Sequence, residues 1–342
     1  MKTVLVTGAG GYIGSVLVPK LLDKGYQVIA IDRFFFGMDK LQSHENLTVI
    51  KEDTRRIKEE YFAGVDAVID LVAISNDPSG EVFHEATYEI NHLSRVNTAS
   101  IAKRLGVKRY ILPSSCSIYG FQETGVVVNE QATTNPLTTY AKANEKAELD
   151  ILPLADADFT AVIMRQATVF GYSPRMRFDL AINGMTYGAW ETGVIPLMRD
   201  GSQWRPMVHV QDTTDVMCIL LEADQEKING QIFNVGSHNY QLGQLAEEIV
   251  KALPIEVNIE WYGDADHRSY KVNFDKIEST LHWRAKYTAA DGAKEIYDAL
   301  ITGKLTKDDQ TITLKWYEEL AKWHKIIKER EMYGGIIMGI SS

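Results

Sequence analysis

Two short segments carry side chains suited to moving a proton and steadying an oxygen: Ser114-Ser-Cys-Ser-Ile-Tyr-Gly120 and Tyr140-Ala-Lys-Ala-Asn144. A phenolate takes the proton of an alcohol while a serine hydroxyl hydrogen-bonds the same oxygen, which readies the carbon to lose a hydride to a nicotinamide. The N-terminus is suited to hold such a partner. Lys2 to Thr7 reads as a short buried strand that runs into Gly8-Ala-Gly-Gly11-Tyr12-Ile13-Gly14 and then a helical pattern from Ser15 to Lys24. Glycines at 8, 11 and 14 permit a tight turn, close approach to a pyrophosphate and packing of helix on strand. The helix N-terminus meets phosphates with free N–H groups and the positive end of its dipole. A second strand, Gln27 to Ile31, ends at Asp32, roughly 20 residues on, where a carboxylate accepts the ribose hydroxyls of an adenosine. Strand, glycines, helix, strand and acid in that order predict a dinucleotide site.

The elements that must position these groups alternate through the first half. Val65–Val72, Lys108–Pro113 and Thr160–Met164 read as strands, Thr87–Leu105 and Thr138–Leu152 as helices. This is the pattern of an α/β protein with a doubly wound parallel sheet, Rossmann-like, helices on both faces. The first segment after a strand, Ser114–Gly120, then lies at a carboxyl end, where open α/β sheets bind ligands. After Gly171 the alternation degrades: Ser173–Arg177, Gly193–Pro196 and Asp200–Trp204 read as loops, with helices again at Asp212–Glu222 and Leu242–Leu253. The expected organisation is a dinucleotide-binding domain over 1–170 with a returning strand near 231–235, and a smaller interleaved substrate-binding region over 171–304. A C-terminal helix and tail over 305–342 complete it. Leu314, Tyr317, Leu320, Trp323 and Ile327 give that helix an apolar stripe, read as packing on its own domain.

A net charge of -10 weighs against a nucleic-acid partner, so an anionic ligand must be met by local arginines. The two cysteines, Cys116 and Cys218, make neither a disulfide framework nor a zinc pattern, which fits a reducing cytoplasmic setting. The eight histidines form no i, i+4 pair, so no metal site is expected. The chain enters its first strand at once and has no apolar run of membrane-spanning length, so neither a signal peptide nor a membrane partner is expected.

The chain resembles the extended short-chain dehydrogenase/reductase family, in particular its NAD-dependent nucleotide-sugar epimerases, dehydratases and reductases, over about residues 1 to 300. Thr7-Gly-Ala-Gly-Gly-Tyr-Ile-Gly14 is similar to the family's TGxxGxxG, and Asp53, with Thr54 beside it, matches the acid at the adenine. Leu71-Val-Ala73 resembles the loop that covers the cofactor, and Asn91 the polar residue on the following helix. Ser115 and Tyr140 occupy the catalytic positions. Arg205, in Trp204–Asp212, resembles the arginine that grips the sugar-nucleotide diphosphate, and Arg268 a second one. Arg33 could hold an NADP 2′-phosphate, but Asp32 beside it repels that dianion, so NAD is expected. Ser75 and Asn76 follow a strand and face the sugar or simply form a turn.

Three positions depart from the resemblance. The lysine of YxxxK would fall at 144, where this chain has Asn144, and Lys142 projects from a different helix face. An ammonium about 4–5 Å from a phenol favours its ionisation by roughly 3–4 kcal/mol at an effective dielectric of ~20. Bringing a tyrosine from ~10 to neutrality takes about 4 kcal/mol, so the loss is comparable to the whole task. Asn144 can still bond the nicotinamide ribose. Second, Cys116 and Ser117 stand where the family's dehydratases carry acids, which disfavours dehydration; Cys116 reads better as a packing residue than as an acid. Third, Thr168 replaces an asparagine at the substrate phosphates, with Arg175 and Arg177 as compensating cations. The resemblance therefore implies an epimerase acting by transient oxidation at C4. A 4-ketoreductase or 4-dehydrogenase shares every residue named, and a catalytically weak nucleotide-sugar-binding protein is the third reading. A homodimer is implied by the resemblance alone.

Overall fold

The computed structural model describes residues 2–123, 125–263 and 269–331. Seven parallel strands make the central sheet: β1 (Thr3–Thr7), β2 (Gln27–Asp32), β3 (Leu47–Lys51), β4 (Ala67–Asp70), β5 (Arg109–Ser115), β6 (Thr160–Gln166) and β7 (Gln231–Val235), in the order β7-β6-β5-β4-β1-β2-β3. The order reverses between β1 and β4, which opens a crevice at their carboxyl ends. The helices used below are α1 (Gly14–Asp23), α2 (Arg95–Arg104), α3 (Thr139–Ile151), α4 (Ala181–Thr192), α5 (Val210–Glu222), α6 (Leu242–Ala252), α7 (Ala289–Ile301) and α8 (Thr313–Arg330).

The inner strands β1, β4, β5 and β6 are apolar on both faces because both are covered. Val4, Val6, Ile69, Ile111 and Met164 pack with Leu17 and Leu21 of α1 and Val216 and Leu220 of α5. Their alternates Leu5, Val68, Tyr110, Leu112 and Ile163 pack with Ala99 and Ala102 of α2 and Ala147 and Ile151 of α3. Each such aliphatic side chain, fully buried, contributes about 1.5–3 kcal/mol. The sheet is thus doubly wound, with the crevice at the carboxyl ends of its central strands and the packing on its two faces.

The smaller region holds a three-stranded sheet of Thr168–Phe170, Trp204–His209 and His238–Gln241. Its own core is built from α4, α6 and α7 through Ile182, Met185, Leu245, Ile249, Ala293 and Tyr297. Three elements differ from the sequence expectation. Gly193–Pro196, read as a loop, lies mostly in a strand, Val194–Met198, paired with Asn258–Tyr262 in a two-stranded sheet; with only one neighbour, Pro196 sits where a missing N–H costs no ladder bond. Helix α4 was masked in the sequence by Gly184 and Gly188, yet a Cβ at either would fall within 2.6 Å of Phe178 O and 2.8 Å of Val194 O respectively. The helix expected over Thr87–Leu105 runs from His84 to Arg104 but is not regular: a π-helical turn at Glu89–Ser94 joins a short helix at His84–Tyr88 to α2.

Candidate active site

At the N-terminal end of the crevice the backbone does the shaping. Gly8 has φ 63°, and a Cβ there would sit 2.7 Å from the carbonyl carbon of Leu71; a Cβ on Gly14 would fall 2.4 Å from Gly8 O. The Gly8–Gly14 turn therefore packs against the loop after β4 at backbone distance. Ile13 caps α1 with no side-chain hydrogen bond among the described residues, and the first turn holds no acid, which leaves that end open to an anion. The Tyr12 ring turns inward, its hydroxyl donating to Gly171 O at 2.6 Å, and burial raises its phenol.

Asp32 ends β2 with its carboxylate accepting from Gly10 N at 3.0 Å and Phe34 N at 2.6 Å; burial raises it above the ordinary carboxylate value. Arg33 points away from Asp32 to Asp53 at 3.1 Å and lies 4.5 Å over the Phe35 ring. Asp53 also binds Arg55 at 2.7 Å; burial raises its carboxyl, but the Arg55 hydrogen bonds and the two positive charges hold it below the usual range. Asp53 lines an open cleft of about 1120 Å³ together with Arg33, Phe34, Arg55 and Leu320, the first two of which follow Asp32 in the chain. Thr54 is buried, 3.2 Å from Ser94 Oγ.

The loop after β4, with Leu71 and Ala73, is fastened from three sides. Val72 N donates to Thr7 Oγ1 at 3.2 Å, and Asn91 accepts from Ile74 N at 2.8 Å and donates to Ile74 O at 2.9 Å. Both ends of the Asn91 amide are thereby occupied, so it sets the loop that faces the crevice. Arg95 Nε donates to Val72 O at 2.8 Å.

Ser115, at the carboxyl end of β5, accepts from Ser117 N at 3.1 Å, and its hydroxyl acts on the Tyr140 phenol to lower it. Tyr140 lies in the first turn of α3, whose start is fixed by Thr138 Oγ1 accepting from Ala141 N at 3.2 Å. Gly80 lets a neighbouring helix approach it; a Cβ there would lie 3.2 Å from Tyr140 Cβ. One turn on, Asn144 is buried, donating to Tyr140 O at 2.9 Å and accepting from Arg95 Nη1 at 2.8 Å. Burial raises the Tyr140 phenol, the Arg95 charge and the Ser115 hydrogen bond pull it back, and Asp77 adds to the rise. Arg95 was missed in the sequence, because the π turn before it changes which side of the helix it occupies.

Beyond Tyr140 a pocket is lined by Asp77, Ser117, Gly120, Leu137, Thr138, Arg205 and Tyr270. Arg205 donates to Trp204 O at 2.9 Å and stands 5.8 Å from the Tyr270 ring centroid. Arg268 lies outside the described residues. Arg177 is spoken for, with Nη2 2.6 Å from Asp179 and Nη1 3.0 Å from Ser75 Oγ; Asn76 donates to Asp179 at 2.8 Å and caps the next helix by accepting from Ser79 N at 2.8 Å. Ser75, Asn76 and Arg177 thus pin two loops together in this structure. Arg175 lies at the dinucleotide end, 3.6 Å over Phe36 and bonded to Thr313 Oγ1 at 3.0 Å. Thr168 pairs with Met207 in the smaller sheet. Cys116 is buried, which pushes its thiol up, and donates to Arg165 O at 3.2 Å. Across the crevice α8 sets Trp316 Nε1 2.6 Å from Phe35 O, and the Tyr317 ring 5.6 Å from Phe36 and 6.1 Å from Phe83. No helix among the described residues is long and apolar enough to cross a membrane.

The family model described as NAD dependent epimerase/dehydratase family matches residues 4–236. Among curated proteins, UDP-glucuronic acid decarboxylase 6 of Arabidopsis thaliana is 26% identical over 310 residues, 84% of this chain and 86% of its own length. A putative UDP-arabinose 4-epimerase 4 of the same plant is 26% identical over 322 residues, 83% and 73% of the two chains. Among solved structures, UDP-glucuronic acid 4-epimerase from Bacillus cereus, in complex with UDP-glucuronic acid and NAD, superposes with a TM-score of 0.79 at 22% identity, covering 88% of this chain and 99% of that one.

Proposed function

This chain belongs to the NAD-dependent epimerase/dehydratase family, and on that premise we propose that it is a nucleotide-sugar epimerase that acts by transient oxidation at C4. The dinucleotide end fits NAD: an uncapped helix N-terminus without acids, backbone packed at glycine distance, and Asp32 at the end of β2. Gly8, Gly11, Gly14 and the N–H groups of Tyr12 and Ile13 would hold its pyrophosphate, Asp32 a ribose, and the Leu71–Ala73 loop the far side. NAD supplies a reversible hydride acceptor there.

The chain's own work is proton handling and orientation. Tyr140 removes the proton from the C4 hydroxyl and later returns it, while Ser115 hydrogen-bonds that oxygen and keeps it in line with the phenol. Arg205 holds the diphosphate, because its pocket opens beside Thr138 and Asp77, next to Tyr140. The carrying observation is that the Tyr140 phenol meets Ser115 at the carboxyl end of β5, with the Arg205 pocket beginning at Thr138 just before it. Cys116, with its raised thiol, and Ser117 offer no acid to expel water, so elimination has no proton donor at that place. Helix α8 over the crevice favours a retained cofactor, which an epimerase needs and a one-way reductase does not. Leu93 and Leu149, 58% and 66% exposed on neighbouring helical elements, offer an apolar face for a homodimer.

Mass spectrometry of what denatured protein releases tests this, run beside product analysis with UDP-glucuronic acid and UDP-arabinose. Close to one NAD per chain together with a C4 epimer is the expected outcome. An empty protein that needs added NADH to make any product would replace the epimerase with the reductase.

A further inference from the structure

A phenol that burial pushes up, as it does Tyr140, ionises readily only beside uncompensated positive charge. Resting on the assignment of Tyr140 as the base, we propose that Arg95, tethered to Asn144, supplies that charge, so that an arginine from α2 and an asparagine on α3 do together what position 144 does not do alone.

Arg95 is 2% exposed, and its hydrogen-bond partners are the neutral oxygens of Val72 and Asn144, each at 2.8 Å. No carboxylate among the described residues forms an ion pair with it. Two other buried guanidinium groups are neutralised: Arg165 by Glu148 at 2.7 Å and Arg177 by Asp179 at 2.6 Å. Burying an unpaired cation costs several kcal/mol. Arg175, 4% exposed, also has only neutral hydrogen-bond partners, Met176 O and Thr313 Oγ1, but it stacks on Phe36 away from Tyr140.

The asparagine is suited to the arrangement. Its Nδ2 is committed to Tyr140 O, so its carbonyl must face Arg95, which can only donate. A lysine at 144 would instead set two cations against one another. The groups that face Tyr140 from the packed elements are Asp77, which opposes ionisation, Arg177, which Asp179 offsets, Ser115, and the phenol of Tyr270. Arg95 is the one of these cations without a paired carboxylate. The π turn at Glu89–Ser94 sits immediately before Arg95, and such turns recur at functional sites because they re-aim the residues that follow.

The test follows tyrosinate ultraviolet absorption of the NAD-loaded protein as pH rises, with the Tyr140→Phe titration subtracted. Arg95→Gln keeps a donor for Asn144 and removes the charge; its Tyr140 midpoint is expected to rise by at least about one pH unit, a tenfold change in proton affinity. Arg95→Lys should stay within about half a unit of the parent, and Arg95→Gln/Asn144→Lys should return toward it. A parental midpoint in Arg95→Gln overturns the role of Arg95, as does an Arg95→Lys midpoint raised as far as that of Arg95→Gln, which would make the residue a mere fastening. If Arg95→Gln does not fold, Arg95→Lys decides against the parent alone: a midpoint within about half a unit supports the charge, and one raised by about a unit or more overturns it. Identical titrations of the parent and Tyr140→Phe would instead remove Tyr140 as the base, a separate failure.

Discussion

The two ends of the crevice are built by different means. At the dinucleotide end the backbone itself is the surface: a glycine turn at van der Waals limits against Leu71, the uncapped start of α1, and a single acid at the end of β2. At the sugar end the surface is side chains delivered from segments far apart in the chain, Asp77, Ser117, Thr138, Arg205 and Tyr270. The charges differ too. Arg33 and Arg55 share Asp53 beside the open cleft, whereas Arg95 forms no ion pair with a carboxylate among the described residues. Backbone recognition constrains residue type at every contact. Side-chain recognition constrains only the chemistry of the tip, and many sequences satisfy it.

The sharpest way to break this division is Tyr140→Phe. It is expected to lower turnover about 10³-fold or more while bound NAD per chain, measured by mass spectrometry, stays the same; loss of NAD as well would mean that the two ends are not separable. Next comes the clasp between them. Asp179→Asn leaves the Arg177 guanidinium buried and unpaired, at a cost of about 3–5 kcal/mol in denaturant unfolding. The Arg177 charge outweighs burial and holds the Asp179 carboxyl below its ordinary value. The pair therefore stabilises fully above about pH 4, the unfolded value, and the contribution falls away as pH drops through the lower folded value. The gap between parent and variant should narrow on acidification; a gap constant down to strongly acid pH would disconnect it from this carboxyl. The smallest effect expected is that of Tyr317→Ala on α8. Removing a ring that packs on Phe35, Phe36 and Phe83 should speed NAD release about tenfold, a change of ~1.4 kcal/mol, with little change in nucleotide-sugar affinity. Equal loss at both ends would show that α8 serves the whole crevice.

What was legible in the sequence follows the same line. The glycine turn, Asp32 and six of the seven strands could be read because a parallel sheet covered on both faces leaves apolar runs, and a phosphate turn leaves glycines; β3, largely exposed at the edge of the sheet, leaves no such run. Ser115 and Tyr140 could be read because each sits at the end of a clear element. Helix α4 was obscured because Gly184 and Gly188 answer to contacts with Phe178 and Val194, which no local pattern records. Ser75, Asn76 and Arg177 had the types of substrate ligands, yet here they bond one another and Asp179. Arg95 was invisible for a geometrical reason: a regular helix over 87–105 gives every residue a fixed direction, and the π turn changes it partway along.

That turn has a consequence for how such a site could arise or be lost. A π turn carries one residue more than the α turn it replaces, and each helical residue advances the direction by about 100°. Deleting Ile90, His92 or Leu93 would therefore change the phase of α2 against the helix before it while Asn91, Arg95, Tyr140 and Asn144 all remain. The cation of this crevice is held by phase, and a change of one codon in length, rather than in identity, is enough to move it in or out.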